Sequence, residues 1–316
     1  MKLAIPHRFF IDENGFVFTD QTVESIESAL REFSDTLDFV AQDSKEICKW
    51  SQIWFIRSTP DEELLDLLNG NKEIDRDIAR RISLILDRVD DWDNDFDINL
   101  PSLGVVCGEE IIEIAPSIVV CGLTKQNLPT TACLTTLQSN RSGKLAVNYT
   151  DKSYVDVRFI ASPAGGVEYW RDVILFESKN AQDLNAWSKF AFPDLIFPNG
   201  IWSQIGNFDG RFRDNLPKIV KHLSGLNDHA RNIWIDHSEP AEIMAYMGSL
   251  AGIDCSKDSP NTHKNSSAMA SRRVYFEDGE LLCEWHTKLE KDKNRIHFAV
   301  ENEKVYVGIF AKHLIT

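Results

Sequence analysis

Arg273-Val274-Tyr275-Phe276-Glu277-Asp278-Gly279-Glu280-Leu281-Leu282-Cys283-Glu284-Trp285-His286-Thr287-Lys288 consists of two strand-like runs around an Asp-Gly pair. Asp-Gly between such runs is the strongest short-range hairpin signal, so strands are expected at 273–276 and 281–288. Arg295 to Val300 and Val305 to Phe310 follow after short charged connections, which predicts a four-strand antiparallel meander. Side chains alternate along a strand, so Glu284, His286 and Lys288 fall on one face and Leu281, Cys283, Trp285 and Leu289 on the other. The next two strands repeat the division. Arg295 and His297 oppose Ile296, Phe298 and Val300, while Tyr306, Gly308 and Lys312 oppose Val305, Val307 and Ile309.

Upstream, Val23, Ile26, Leu30, Phe33, Leu37 and Val40 recur at helical spacing after Thr19-Asp20. Ile53 to Ile56 reads as a short buried strand. Thr59-Pro60-Asp61-Glu62 reads as a capping box opening a helix that stops at Asn69-Gly70, and Ile74, Ile78, Ile82, Ile85 and Val89 mark a third helix. Asp91, Asp93 and Asp95 imitate the start of a calcium loop. Phe96 stands where that loop needs glycine and no closing glutamate follows, so a solvated acidic linker is expected, with a boundary near Leu100-Pro101. From Gly104 the texture becomes short runs rich in Val, Ile and Thr. Strands are expected at 143–149, 154–160 and 173–176, then helices around Leu184 to Ala191, Leu216 to His229 and Ile243 to Leu250. Cys255 to Ser271 has no apolar period and reads as a mobile polar loop. The expected class is α+β: an acidic, mainly helical region over 1–100, a mixed α/β region over 101–225, and helices with the C-terminal meander over 226–316.

The 316 residues are 43% hydrophobic and carry a net charge of −15, enough chain for two or three units with real cores. Residues 1–100 hold 11 basic against 23 acidic side chains, a net −12, whereas 271–316 hold eight of each sign. That asymmetry predicts a protein partner for the acidic N-terminal helices, and no strongly basic nucleic-acid groove is visible. No stretch has the length of a membrane span or the apolar core of a secretory leader, so no membrane partner and a cytoplasmic location are expected. Cys48, Cys107, Cys121, Cys133, Cys255 and Cys283 are scattered with no CxxC, which argues against zinc and against a disulfide framework.

Cleaving an RNA phosphodiester without metal needs a base for the 2′-hydroxyl, cations for the crowded phosphate and an acid for the leaving oxygen. Glu284, His286, Lys288, Arg295 and His297 on neighbouring strands, with His313 just beyond the last, contain those parts, and no cofactor or metal enters. Gly308 would leave room on that face for a substrate backbone. The competing explanation is that a sheet with one face in water carries polar residues there anyway. Glu177-Ser178-Lys179 at the end of an apolar strand, with Asp156 or Asp172 upstream, resembles the Asp…Glu-x-Lys core of metal-dependent restriction-type nucleases, the alternative site. His222, His229 and His237 can share a helix face, but no carboxylate or cysteine stands at ligand spacing.

The succession of helices and a meander ending in histidine resembles the RelE superfamily of ribosome-dependent messenger-RNA endonuclease toxins, particularly its YoeB-like branch. The segments concerned are Arg295-Ile296-His297-Phe298, Glu301-Asn302-Glu303-Lys304, Val305-Tyr306-Val307-Gly308-Ile309 and Lys312-His313, at most a quarter of the chain. The resemblance implies an endoribonuclease-like effector of a bacterial toxin or anti-phage system. Arg295 would stabilise the transition-state phosphate, His313 would be the acid, and Glu284, His286 or Lys288 would supply the base. Such toxins are small and strongly basic, which this chain is not. The tail also resembles the ending of uncharacterised bacterial proteins, a group that includes candidate phage-defence components. The competing class is a non-catalytic protein-recognition component, with the acidic helices as contact surface and the meander as scaffold.

Overall fold

The computed structural model describes residues 7–41, 44–71, 73–94, 105–150 and 153–314. The chain gathers into two compact units, Met1–Tyr169 and Trp170–Thr316, and its class is α+β.

Unit 1 is built on β1 (Phe9–Ile11), α1 (Val23–Val40), β2 (Ile47–Lys49), α2 (Leu64–Asn69), α3 (Arg76–Arg88), β3 (Asp90–Asp91), β4 (Val105–Cys107), β5 (Glu110–Ile112), α4 (Pro116–Thr124), β6 (Ala132–Leu134), β7 (Gly143–Thr150) and β8 (Ser153–Ile160). The strands form one sheet in the order β3-β2-β1-β6-β8-β7-β4-β5. From β3 to β8 they run parallel; β7, β4 and β5 complete the sheet antiparallel. Phe9, Phe10 and Ile11, like Ala132, Cys133 and Leu134, are wholly buried, as strands covered on both faces must be. α4, apolar all round, lies in the core of this unit with Phe159 and Val157. α1 starts where Thr22 accepts a hydrogen bond from the Ser25 N–H, and α3 where Asp75 accepts from Asp77 and Ile78.

Three expectations change here. Ile53 to Ile56 is not a strand: Ser51–Phe55 is a 3-10 turn, and the buried strand is β2 just before it. Three residues are too few to show a period. Thr59-Pro60-Asp61-Glu62 does not open a helix; Thr59 Oγ1 accepts from the Glu62 N–H in a turn, and α2 begins only at Leu64. The calcium-like aspartates are tied down separately, Asp91 to Lys49 and Asp93 to Ser51, while Asp95 and the boundary near Leu100-Pro101 lie outside the described residues.

α5 (Pro163–Glu177), which runs from the end of unit 1 into unit 2, overturns the strand expected at 173–176; Tyr169, Trp170, Val173 and Ile174 are its buried apolar positions, a helical spacing that the four-residue apolar run disguised. Unit 2 continues with α6 (Ala181–Ala191), β9 (Leu195–Ile196), a 3-10 segment (Ile201–Asn207), α7 (Phe212–Gly225), α8 (Arg231–Asp236), α9 (Pro240–Leu250), β10 (Cys255–Lys257), α10 (Pro260–Lys264), α11 (Ser266–Ala270) and β11 to β15 (Arg273–Phe276, Gly279–Leu282, Trp285–Lys288, Arg295–Glu301 and Lys304–Ala311). The four-strand meander becomes two sheets. β11 and β12 pair only with each other, while β13, β14 and β15 lie in a five-stranded sheet ordered β10-β13-β14-β15-β9. The expected strand 281–288 breaks at Cys283-Glu284, where the Cys283 N–H turns to the Arg272 carbonyl at 2.8 Å. On one face Trp234 of α8 packs edge-on against Trp285 and Phe298. The other face is not open to water: the β11–β12 hairpin lays Phe276 on Tyr306 and Cys283 beside Ala299.

The polar segment 255–271, expected to be a loop, is structured. Ser259 caps α10 and Asn265 caps α11, supplying locally the hydrogen bonds that an apolar period would otherwise announce. Gly308 leaves no room for a substrate, because a Cβ there would overlap Cys283 Sγ and touch Val274 at 3.0 Å.

Candidate functional site

Strand pairing sets His286 opposite His297, Ser256 opposite His286, and Lys288 opposite Arg295. The alternation read from the sequence therefore places these side chains on one face, the one bearing the hairpin. The two imidazoles lie 5.0 Å apart, and His286 Nε2 is 3.2 Å from Ser256 Oγ. Behind them Arg272, only 1% exposed, forks onto Asp258 and donates to the Ala268 carbonyl at 2.7 Å. Asp258 Oδ1 is in turn 3.8 Å from His286 Nδ1.

The polar atoms that remain are notable for what they lack. His286 Nδ1 and Arg295 Nε are buried with no hydrogen-bond partner among the described residues, and the His297 ring has only the Cys283 backbone, at a longer reach than an ordinary hydrogen bond. Burial, then the positive charges of Arg295, Lys288, Arg272 and His313, push the His286 pKa down to about 3. Burial, with His286, Arg272 and Arg295, holds His297 well below the usual histidine range. Both rings are neutral at pH 7, so each presents one donor and one acceptor nitrogen. Three cationic side chains, Arg295, Lys288 and Arg272, act on one imidazole.

The six expected residues divide. His286, His297 and Arg295 form the cluster. Lys288 stands at its edge, 3.4 Å from Asp254, and exposed His313 bonds the Leu314 carbonyl at 2.7 Å. Glu284 is engaged elsewhere, 2.9 Å from Lys257 and 3.3 Å from His263. Sequence reasoning missed Ser256, Asp258 and Arg272, since all three lie in or beside the segment read as a loop. The available signal was Ser259-Pro260, a helix start directly after Asp258.

The restriction-type arrangement is not formed as expected. Glu177 ends a helix rather than a strand, Asp172 lies on that same helix, and the Lys179 N–H donates to Asp183 Oδ2 at 2.7 Å just before α6, which Asn180 caps. His222 is buried with its pKa pushed down to about 4 by burial, and His237 stacks on Tyr246 at 4.0 Å. No group of three His, Cys, Asp or Glu residues among the described residues is arranged to hold a metal ion.

Unit 1 has its own polar cluster, at the carboxyl ends of β1 and β6. There β1 has β2 on one side and β6 on the other, the crevice position where open α/β sheets bind ligands. Asp12 accepts from Arg141 Nη2 at 2.8 Å, Arg141 Nε at 3.1 Å and Thr135 Oγ1 at 2.9 Å, and Arg141 also reaches Glu110 at 2.9 Å. Glu13 accepts from the Ser117 N–H at 3.2 Å, and burial followed by the Asp12 charge pushes its pKa up to about 8. Gly15 allows this closure, because a Cβ there would sit 2.7 Å from Thr135 Oγ1. Asp12, Glu13 and Thr135 are fully buried and Arg141 nearly so; side chains fill the crevice instead of lining it.

No family model matches the chain, and neither a curated protein nor a solved structure matches it. No helix among the described residues is long and apolar enough to cross a membrane.

Proposed function

We propose that the chain is an endoribonuclease-like effector that cleaves phosphodiesters without metal, using the histidine–arginine cluster of unit 2. The observation that carries this reading is the convergence of unpartnered buried nitrogens from His286 and Arg295 on one face, beside the His297 ring and in the field of Lys288 and Arg272. Buried polar groups are ordinarily satisfied, so a set of unmet donors and acceptors beside cations marks the place of an anionic ligand. A phosphate there would be met by Arg295 Nε and by imidazole N–H groups, and its charge would offset the cations that depress His286. The His286 pKa would then rise from about 3 towards the range useful for proton transfer at neutral pH, so that substrate itself prepares the base. In this reading exposed His313 is the acid that protonates the leaving oxygen.

The test is cleavage of single-stranded RNA by the full chain in EDTA. Arg295→Gln, Lys288→Ala and His313→Ala change partly or fully exposed residues and should reduce cleavage by about 100- to 10,000-fold with melting temperatures little changed. Absence of metal-independent cleavage, or full activity in all three variants, overturns the reading.

A further inference from the structure

α6 and the segment from Phe197 to Ser203 line an open surface cleft of about 370 Å³ that is separate from the histidine cluster, since none of His286, His297 and Arg295 lines it. Its size lies within the roughly 300–1,000 Å³ of small-molecule sites. Although a quarter of the chain is charged, no charged side chain lines this cleft. Its walls instead carry the carboxamides of Gln182, Asn185 and Asn199, the hydroxyl of Ser203, and the rings of Phe197 and Trp202. The rings brace each other at 4.8 Å, Trp202 rests on Phe310 at 5.7 Å, and Ser203 Oγ donates to the Gly200 carbonyl at 2.7 Å. That wall is held in place without a ligand. The three carboxamides make no side-chain hydrogen bonds within the described residues and stand at the surface.

We infer that this cleft binds an adenine nucleoside, its base against Phe197 and Trp202 and its edge read by Gln182, Asn185 and Asn199. A carboxamide offers a donor and an acceptor side by side, the complement of the adenine N6 and N7 edge, and aromatic rings stack bases. The missing charges decide between nucleoside and nucleotide: nothing in the lining would recognise a phosphate, which would remain in solvent. The inference does not rest on the nuclease reading, and either can fail alone.

The test is calorimetry and saturation-transfer NMR on the full chain with adenosine, AMP, uridine and glucose. Adenosine should bind, AMP should match it within about threefold, and uridine and glucose should be weaker. Gln182→Ala and Asn185→Ala should each weaken adenosine about tenfold, as expected for losing one or two hydrogen bonds, and Ser203→Trp should fill the cleft and abolish binding. All three residues are exposed, and equal melting curves would show that the fold is kept. No adenosine binding, unchanged affinity in the variants, AMP at least about tenfold tighter than adenosine, or tighter binding of glucose or uridine would each overturn the inference.

Discussion

The two units each bury a polar cluster, and the clusters differ in how far their hydrogen bonds close: Glu13 Oε2 is left unmet in unit 1, against several nitrogens in unit 2. In unit 1, Asp12 is surrounded by Arg141, Thr135 and the Asn14 N–H, and Arg141 is shared with Glu110. In unit 2, Arg272 and Asp258 form a comparably closed pair, but the adjoining His286 and Arg295 keep unmet nitrogens and His297 has only the Cys283 backbone. A satisfied network holds structure together; an unsatisfied one is costly to bury unless something else completes it. Topology alone would have placed the site in the crevice of unit 1. The larger number of unmet buried polar atoms is what favours unit 2 in the proposed reading.

The most disruptive way to probe the comparison is to break the closed parts. Arg141→Ala would strand Asp12 and Arg272→Ala would strand Asp258, each in a dry interior, and each should cost about 3–5 kcal/mol in urea unfolding. If either is tolerated with less than about 1 kcal/mol, that network is not closed as described.

The pH dependences should run in opposite directions. Glu13 has its pKa raised from 4.5 to about 8, so the folded state holds a proton that the unfolded chain releases; stability of unit 1 should fall as pH rises from about 4.5 to about 8. His286 is lowered from 6.5 to about 3, so stability of unit 2 is fully present above about 6.5 and is lost as pH falls through that window to about 3. A tenfold change in proton affinity between folded and unfolded chain corresponds to roughly 1.4 kcal/mol, giving effects on the order of a few kcal/mol. Glu13→Gln should flatten the first slope and leave the second. Urea titrations at several pH values, followed by probes in each unit, would expose slopes of the same sign.

A gentler probe leaves the fold intact. Adding a non-cleavable dinucleotide should raise the His286 pKa by one unit or more in histidine NMR titrations, equivalent to about 1.4 kcal/mol of coupling, while Glu13 stays unchanged. A static His286 titration in saturating ligand would remove the substrate-prepared base. The smallest effect is expected at the surface of unit 1, where Arg81 meets Asp35 at 3.3 Å in the open. Asp35→Asn should cost under about 1 kcal/mol, because exposed ion pairs are screened and entropically expensive.

Much of this arrangement was legible before folding was considered. The period of two along Trp285–Lys288 and Arg295–Glu301 is enough to put His286, Lys288, Arg295 and His297 on one face, because strand geometry allows no other assignment. The 3.6-residue period of Val23–Val40 and Arg76–Arg88 likewise fixed two helices. β1, β2 and β6 were not legible, being three-residue strands buried on both faces and too short to carry a period.

What only the tertiary structure decided is what covers each face. A pattern of polar and apolar residues says which side chains stand together, but not whether water or protein lies above them. The sequence by itself determined the histidine–arginine face. The β11–β12 hairpin and the capped segment around Asp258 and Arg272 decided that this face is dry. Burial by residues distant in the chain, which no local period encodes, is what leaves His286 and Arg295 with unmet nitrogens instead of a solvated strand surface.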